Sequence, residues 1–332
     1  MRERTAREDL SVSRAPSARR KTVTATAWLA VLLLAATLAT GCGGRAPTGV
    51  PAVVASTDVG GSVARAVAGT HITVASLLSG TDQDPHSYQA SPSDAAALTD
   101  AALVVYNGGG YDPWVDKVLA GHPNVKRIDA YSFATREATP DSARGRPANE
   151  HVFYDLRVAK AVASAIADRL AAIDSANADS YRANASAFGR DADDIAASEH
   201  AIATTYSGVG VIVTEPVAHY LVEATGLVDR TPATLTAATE NETDPSPADM
   251  AAVLDLINAR QVAAVLFNPQ TITPAISGVR DAARRAGVPV TDVTETLPAG
   301  KDYLSWQRDT VGRLLAALKS HGPGGSSGSA RP

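Results

Sequence analysis

Short apolar runs alternate along this chain with stretches whose apolar residues recur at helical spacing. Val53-Val54-Ala55-Ser56-Thr57 predicts a strand, Val59 to Ala68 a helix, and Ile72 to Leu77 the next strand. Pro92 suits the first turn of a helix behind Ser91, which can cap it, and that helix continues through Ala95 to Thr99. Leu103 to Asn107 reads as a buried strand ending in Gly108-Gly109-Gly110. The second half repeats the pattern without repeating the sequence. Strands are expected at Val209 to Thr214, Val262 to Phe267 and Val288 to Val290, and helices at Pro216 to Thr225, Pro247 to Ala259, Ala275 to Ala286 and Asp302 to Leu318. Strands separated by helices need crossover connections and so pair in parallel. The expected fold is α/β, with two lobes that each carry a mainly parallel sheet flanked by helices, joined by one long backbone helix.

That helix is read from a polar, Ala-rich stretch, Ser175 to about Ala203, with no proline and Gly189 as its one glycine. Continuous helix over roughly 29 residues would span about 43 Å. The alternative is two helices broken near Gly189, but a single glycine costs a helix only about 1 kcal/mol. Such a spine restricts lobe motion and favours a site already nearly formed. The expected organisation is a first lobe over 51–174, a linking helix over 175–205 and a second lobe over 206–320.

The ends have a different character. Arg19, Arg20 and Lys21 precede an apolar run from Ala25 to Leu38 that closes in Leu38-Ala39-Thr40-Gly41-Cys42, the layout of an export signal over 1–42. Cys42 is the single cysteine, so no internal disulfide can form, and its setting resembles a bacterial lipoprotein cleavage box, with Ala39 where Leu is usual. The alternative is a chance cysteine beside an ordinary cleavage site. An acylated Cys42 would anchor the protein on the outer face of the cell membrane. Residues 43–50 read as a flexible spacer and 321–332 as a disordered Gly/Ser tail. The net charge of −5 and the lack of a basic stripe with interleaved aromatics argue against nucleic acid, and a monomer is expected.

Two phrases carry the candidate chemistry: Asp84-Pro85-His86-Ser87-Tyr88 running into Ser91-Pro92-Ser93-Asp94, and Glu150-His151-Val152-Phe153-Tyr154-Asp155. Each sets a histidine ahead of a helix N-terminus, where ligand sites sit in α/β proteins. Taken alone, His86 after Asp-Pro reads first as a surface turn residue, and the surrounding phrases change that reading. With Ala101 to Gly110, Asp112-Pro-Trp-Val-Asp116, Asp174 to Ala178, Tyr181 to Asn184, Pro245-Ser-Pro247 and Tyr303, these phrases resemble the metal-binding solute-binding lipoproteins of zinc and manganese ABC importers. The resemblance covers nearly the whole chain after Cys42. It implies capture of one divalent ion between the lobes and its delivery to a membrane permease.

The resemblance places the ion's ligands at His86, His151 and Glu215, the last directly after the strand Val211 to Thr214. It places the fourth at Glu295, where the family usually has Asp, and Asp292 stands as the competing choice. Asp84 and Glu150 are expected to support the ligating imidazoles or shape their turns. His219, four residues after Glu215, is a further chelating possibility. Two neutral imidazoles and two carboxylates sum to zero with a divalent cation, which permits burial. That donor set suits zinc, manganese or ferrous iron, and the lack of thiolates argues against cuprous copper. Tyr131 to Asn149 has none of the histidines that zinc members often carry in this loop, which pulls towards manganese. A secreted metalloenzyme would need a hydrolytic signature such as HExxH, which is absent, and a protein for chelated metal would need an aromatic-lined cleft, whereas aromatics make up 5% of the chain. A role in adhesion to surfaces leaves no mark in a sequence of this kind.

Overall fold

Alternate residues of the central strands face two different cores, and this sorts the molecule into layers. The computed structural model describes residues 53–134, 149–241 and 243–321. The expected export signal, Cys42, the spacer over 43–50 and the tail after His321 lie outside them, as do residues 135–148. The first sheet holds β1 (Val53–Thr57), β2 (Val74–Leu78), β3 (Leu103–Tyr106) and β4 (Arg127–Asp129), in the order β2-β1-β3-β4 and parallel throughout. The second holds β5 (Gly210–Val213), β6 (Val228–Asp229), β7 (Ala264–Phe267) and β8 (Val290–Asp292), in the equivalent order β6-β5-β7-β8 and again parallel.

Helices α1 (Asp58–Ala68), α2 (Pro92–Asp100), α3 (Pro113–Leu119), α4 (Tyr131–Ala134) and α5 (Leu156–Ile173) belong to the first half. After the long α6 (Ala178–Tyr206) come α7 (His219–Ala224), α8 (Ala233–Glu240), α9 (Pro247–Asn258), α10 (Pro274–Ala286) and α11 (Tyr303–His321). Val53, Ala55, Leu103 and Val105 point to a central core that also takes in Val211, Val213, Ala264 and Leu266 of the second sheet. Their neighbours Val54, Val104 and Tyr106 point to a separate core with Leu98 and Trp114, and Ile212 and Val265 to a third with Val253 and Val279. Most buried strand positions are thus apolar on both faces, as a sheet covered by helices on both sides requires, with Ser56, Thr57 and Thr291 the polar exceptions near strand ends.

The spine is one uninterrupted α-helix of 29 residues, preceded by a short turn of tighter helix at Ser175–Asn177. Its buried residues are Tyr181, Ala185, Phe188, Ala192, Ile195, Glu199 and Ile202, spaced alternately by four and three. That is a coiled-coil seam on an otherwise polar helix, which explains why overall hydropathy is low although one face is fully used. Gly189 lies off the seam beside Lys160, where an added Cβ would meet only the Lys160 Cε at 3.8 Å, so nothing breaks the helix there.

Differences from the sequence reading are local. Proline and the tight chain at 216 give a 3-10 turn, Pro216–Ala218, before α7 begins at His219. The last strand starts at Val290, two residues later than its apolar run suggested, because its partners run Val265 to Val290 through Phe267 to Asp292. β4 and β6 had no apolar signature, being three and two residues long at sheet edges.

Gly108 and Gly109 turn the chain out of β3 at φ +74° and +67°, and Asp112 holds the turn by accepting from the Asn107 and Gly108 amides at 2.8 and 2.7 Å. A Cβ on Gly109 would stand 2.4 Å from the Tyr131 ring. Gly109→Ala is therefore expected to cost about 2–4 kcal/mol, from left-handed backbone strain plus overpacking. Urea unfolding of the metal-free protein measures it, and an unchanged midpoint would contradict the packing described.

Candidate metal centre

Parallel sheets gather side chains at the carboxyl ends of their strands. His86 lies in the loop after β2, Tyr111 in the loop after β3, Glu215 just past β5, Asn268 at the end of β7 and Glu295 in the loop after β8. His151 opens the one-turn segment Val152–Tyr154 that leads into α5, whose N-terminus Asp155 caps by accepting from the Arg157 amide at 2.8 Å.

These loops bring His86, His151 and Glu295 together. His86 Nε2 stands 3.2 Å from Glu295 Oε2, and His151 Nε2 stands 4.0 Å from the same oxygen. The imidazole centroids are 5.6 Å apart. Both His151 and Glu295 are 1% exposed, yet His151 Nε2 and Glu295 Oε2 have no hydrogen-bond partner. Two buried polar atoms facing each other without a bond normally cost several kcal/mol. In a tetrahedral site with bonds of about 2.0–2.1 Å, ligand atoms stand about 3.3 Å apart, and the observed separations straddle that figure.

The second coordination partner of each group is fixed by the chain around it. Asn149 Oδ1 accepts from the His151 amide at 2.9 Å and lies 3.0 Å from His151 Nδ1, which assigns the proton to Nδ1 and leaves the Nε2 lone pair facing Glu295. Asn149 is itself held by Tyr220, whose hydroxyl donates to its carbonyl at 2.8 Å. Tyr111 packs edge-on against His86 at 4.9 Å and His151 at 5.8 Å, and its hydroxyl donates to the Glu295 carbonyl at 2.8 Å. Asn268 Nδ2 donates to Glu215 Oε2 at 2.6 Å and to Glu295 Oε1 at 2.7 Å, so one amide bridges two carboxylates. Thr271 adds a short hydroxyl bond to Glu215 Oε2. None of Asn149, Tyr111, Asn268 and Thr271 was identified from sequence. Only Asn149 had a signal, its position two residues before His151.

The remaining candidates divide plainly. Among the described residues, two metal-capable triads have all ligating atoms within 4.8 Å: His86, Glu150 and His151, and Asp84, His86 and Glu295. Glu215 joins neither, but lines the same cleft of about 350 Å³ and is 7% exposed. Asp84 shapes its turn, accepting from the His86 amide and the Ser87 hydroxyl at 2.9 Å each. Asp292 is exposed at the end of β8 and takes no part in the cluster. His219 is half-buried on α7, packed edge-on against Tyr220 at 5.1 Å.

Electrostatics follow from this crowding. Burial opposes a charge on His86, but the Glu295 carboxylate beside it more than offsets that and raises its pKa to about 9. Burial, reinforced by the charges of His86 and His219, drives His151 well below its ordinary value. Burial and then the Glu295 charge push Glu215 up to about 7. In the metal-free protein one imidazole is therefore charged and one neutral, and a proton on His86 balances Glu295.

The sequence matches the family described as zinc-uptake complex component A, periplasmic, over residues 53–317. The chain belongs to this family. Members of the zinc-uptake component A family are solute-binding proteins, the metal-binding components of ABC importers. The chain is 26% identical to the manganese-binding lipoprotein MntA of Bacillus subtilis over 279 residues, which is 79% of this chain and 87% of that protein. It is 26% identical to MntA of Halalkalibacterium halodurans over 205 residues, 59% of this chain and 66% of that relative's length. The periplasmic zinc-binding protein TroA of Treponema pallidum shares the fold, with a TM-score of 0.68 at 18% identity, covering 81% of this chain and 99% of TroA. Among the described residues, no helix is long and apolar enough to cross a membrane.

Protonation of this centre sets the stability of the metal-free protein. His86 holds its proton up to about 9 against 6.5 when unfolded, so its favourable contribution is complete below pH 6.5 and is lost as pH rises through 9. Glu215 and the spine residue Glu199, raised mainly by burial to about 7 and about 8, also bind protons more tightly when folded, so their ionisation costs stability as pH rises from 4.5 to about 7 and about 8 respectively. His151 acts oppositely, but only below its unfolded value of 6.5. The melting temperature of metal-free protein is expected to fall between pH 6.5 and 9, and a flat or rising profile in calorimetry would contradict this assignment.

Proposed function

We propose that the protein captures one divalent transition-metal ion, zinc or manganese with ferrous iron as a further candidate, and delivers it to the permease of an ABC importer. The observation that carries this reading is the pair of buried, unpartnered atoms His151 Nε2 and Glu295 Oε2, with His86 Nε2 beside them. An ion between these atoms supplies the bond that each lacks. His86, His151 and Glu295 are the first three ligands. Glu215 is the fourth, offering Oε1 while Asn268 and Thr271 retain Oε2. Glu295 is favoured over Asp292 by its burial beside both imidazoles.

The ion is cargo, and no chemical step is performed on it. Two imidazoles and two carboxylates leave the loaded centre neutral, which offsets the cost of burying a dication. The relatives named for zinc and manganese fit this donor set. Acylation at Cys42 would hold a monomer on the outer face of the membrane, within reach of the permease. Cys42→Ser is then expected to move the protein from the membrane fraction to the soluble fraction of expressing cells, and retention on the membrane would count against the anchor.

Binding to the folded state alone stabilises it by about 2.7 kcal/mol at a hundredfold excess over Kd. Zinc or manganese is expected to raise the melting temperature of metal-free protein by several degrees, and His86→Ala or His151→Ala to abolish most of that rise. No shift with either ion would overturn the proposed function.

A further inference from the structure

The two triads share His86, and each joins two half-buried groups to one buried one. They differ in their carboxylates: Glu295 is 1% exposed, whereas Glu150 is half-buried in the wall of the cleft. The Glu150 backbone is fixed, with its carbonyl accepting from Asn107 Nδ2 at 2.7 Å and from the Val152 amide at 2.8 Å. Its carboxylate makes no hydrogen bond or ion pair with any described residue. It lies within 4.8 Å of a ring nitrogen of each imidazole, and its charge acts on His86. His86, 25% exposed, is the imidazole that solvent reaches, and His151 Nε2 beside it is buried and unpartnered.

Resting on the function proposed above, we infer that His86, Glu150 and His151 form an outer coordination position, which the ion occupies on its way to the deeper seat at Glu295 and Glu215. Charge gives the path its direction. With one carboxylate and two neutral imidazoles the outer position leaves a dication with a net charge of +1, whereas the seat neutralises it. Movement inward exchanges Glu150 for two buried carboxylates while both imidazoles stay bound. Each water lost from the ion is then replaced by a ligand in turn, and the dehydration of a hard cation is divided into smaller steps. Glu240, which lines the same cleft from α8, adds negative charge at its mouth without belonging to the triad.

Stopped-flow mixing of metal-free protein with Mn²⁺ or Zn²⁺, followed by intrinsic fluorescence, tests this against simple long-range attraction. Glu150→Gln is expected to slow association about tenfold or more, with the deficit persisting at 0.5 M NaCl, where attraction between separated charges is screened. Dissociation is expected to slow in parallel, because the departing ion loses the same stepping point. Glu150→Asp, which keeps the carboxylate, is expected to recover most of the rate, and Glu240→Gln to show only a deficit that salt removes. The inference is overturned if Glu150→Gln leaves association unchanged, if its deficit disappears in salt, or if dissociation instead accelerates, as loss of a permanent ligand would produce. Failure of the wild-type protein to bind either ion would instead overturn the function itself, so the two failures are distinguishable.

Discussion

One buried carboxylate, Glu295, faces two imidazoles through Oε2, with His86 Nε2 at 3.2 Å and His151 Nε2 at 4.0 Å. A carboxylate oxygen and an imidazole nitrogen held out of water in this way are costly, and a ligand that bonds them would offset that cost. Without metal, the proton drawn onto His86 balances the charge of Glu295. On the function proposed here, a bound cation would take over that balance. Proton and ion would then compete for one place, whose spacing the rest of the centre maintains.

The spacing is maintained from both lobes. The segment that carries Glu295 is tied to the first lobe along its length: Tyr154 Oη donates to the Thr294 carbonyl at 3.0 Å, Tyr111 Oη to the Glu295 carbonyl at 2.8 Å, and the Leu297 amide to Asp58 Oδ1 at 3.0 Å. The same Asp58 accepts from the Gly80 amide at 2.7 Å through its other oxygen, joining the loop before His86 to this network. Further back, Tyr303 donates to the Phe153 carbonyl at 2.7 Å, beneath His151. The central core runs through both lobes and the seam of α6, so the lobes rest on one rigid support. A ligand then finds its donors nearly in position, and little binding energy is spent on ordering them.

The parts of this arrangement legible in the sequence are those written in periodicity or in a local phrase. Strand alternation, the Ser91 cap and the uninterrupted spine depend on neighbouring residues, and the structure reproduces them, with Ser91 and Asp94 completing a reciprocal cap. His86 and His151 stand in recognisable phrases, and Glu215 follows a strand whose end was visible. Asn268 and Thr271 were not legible, because their importance lies in reaching Glu215 from the segment after β7, 53 and 56 residues away. Tyr111 was hidden for the same reason, its hydroxyl partner lying 184 residues on. The edge strands escaped notice because two or three residues cannot show a period. Glu295 and Asp292 could not be separated by spacing alone; Asp292 ends β8 exposed, whereas Glu295 is buried in the loop that follows.

Diffraction from crystals of the manganese- or zinc-loaded protein, collected at the metal's absorption edge, tests the account most directly. A single anomalous peak about 2.0–2.3 Å from His86 Nε2, His151 Nε2 and Glu295 Oε2 is the result expected. A peak coordinated elsewhere, with His151 Nε2 and Glu295 Oε2 still unpartnered, would contradict it.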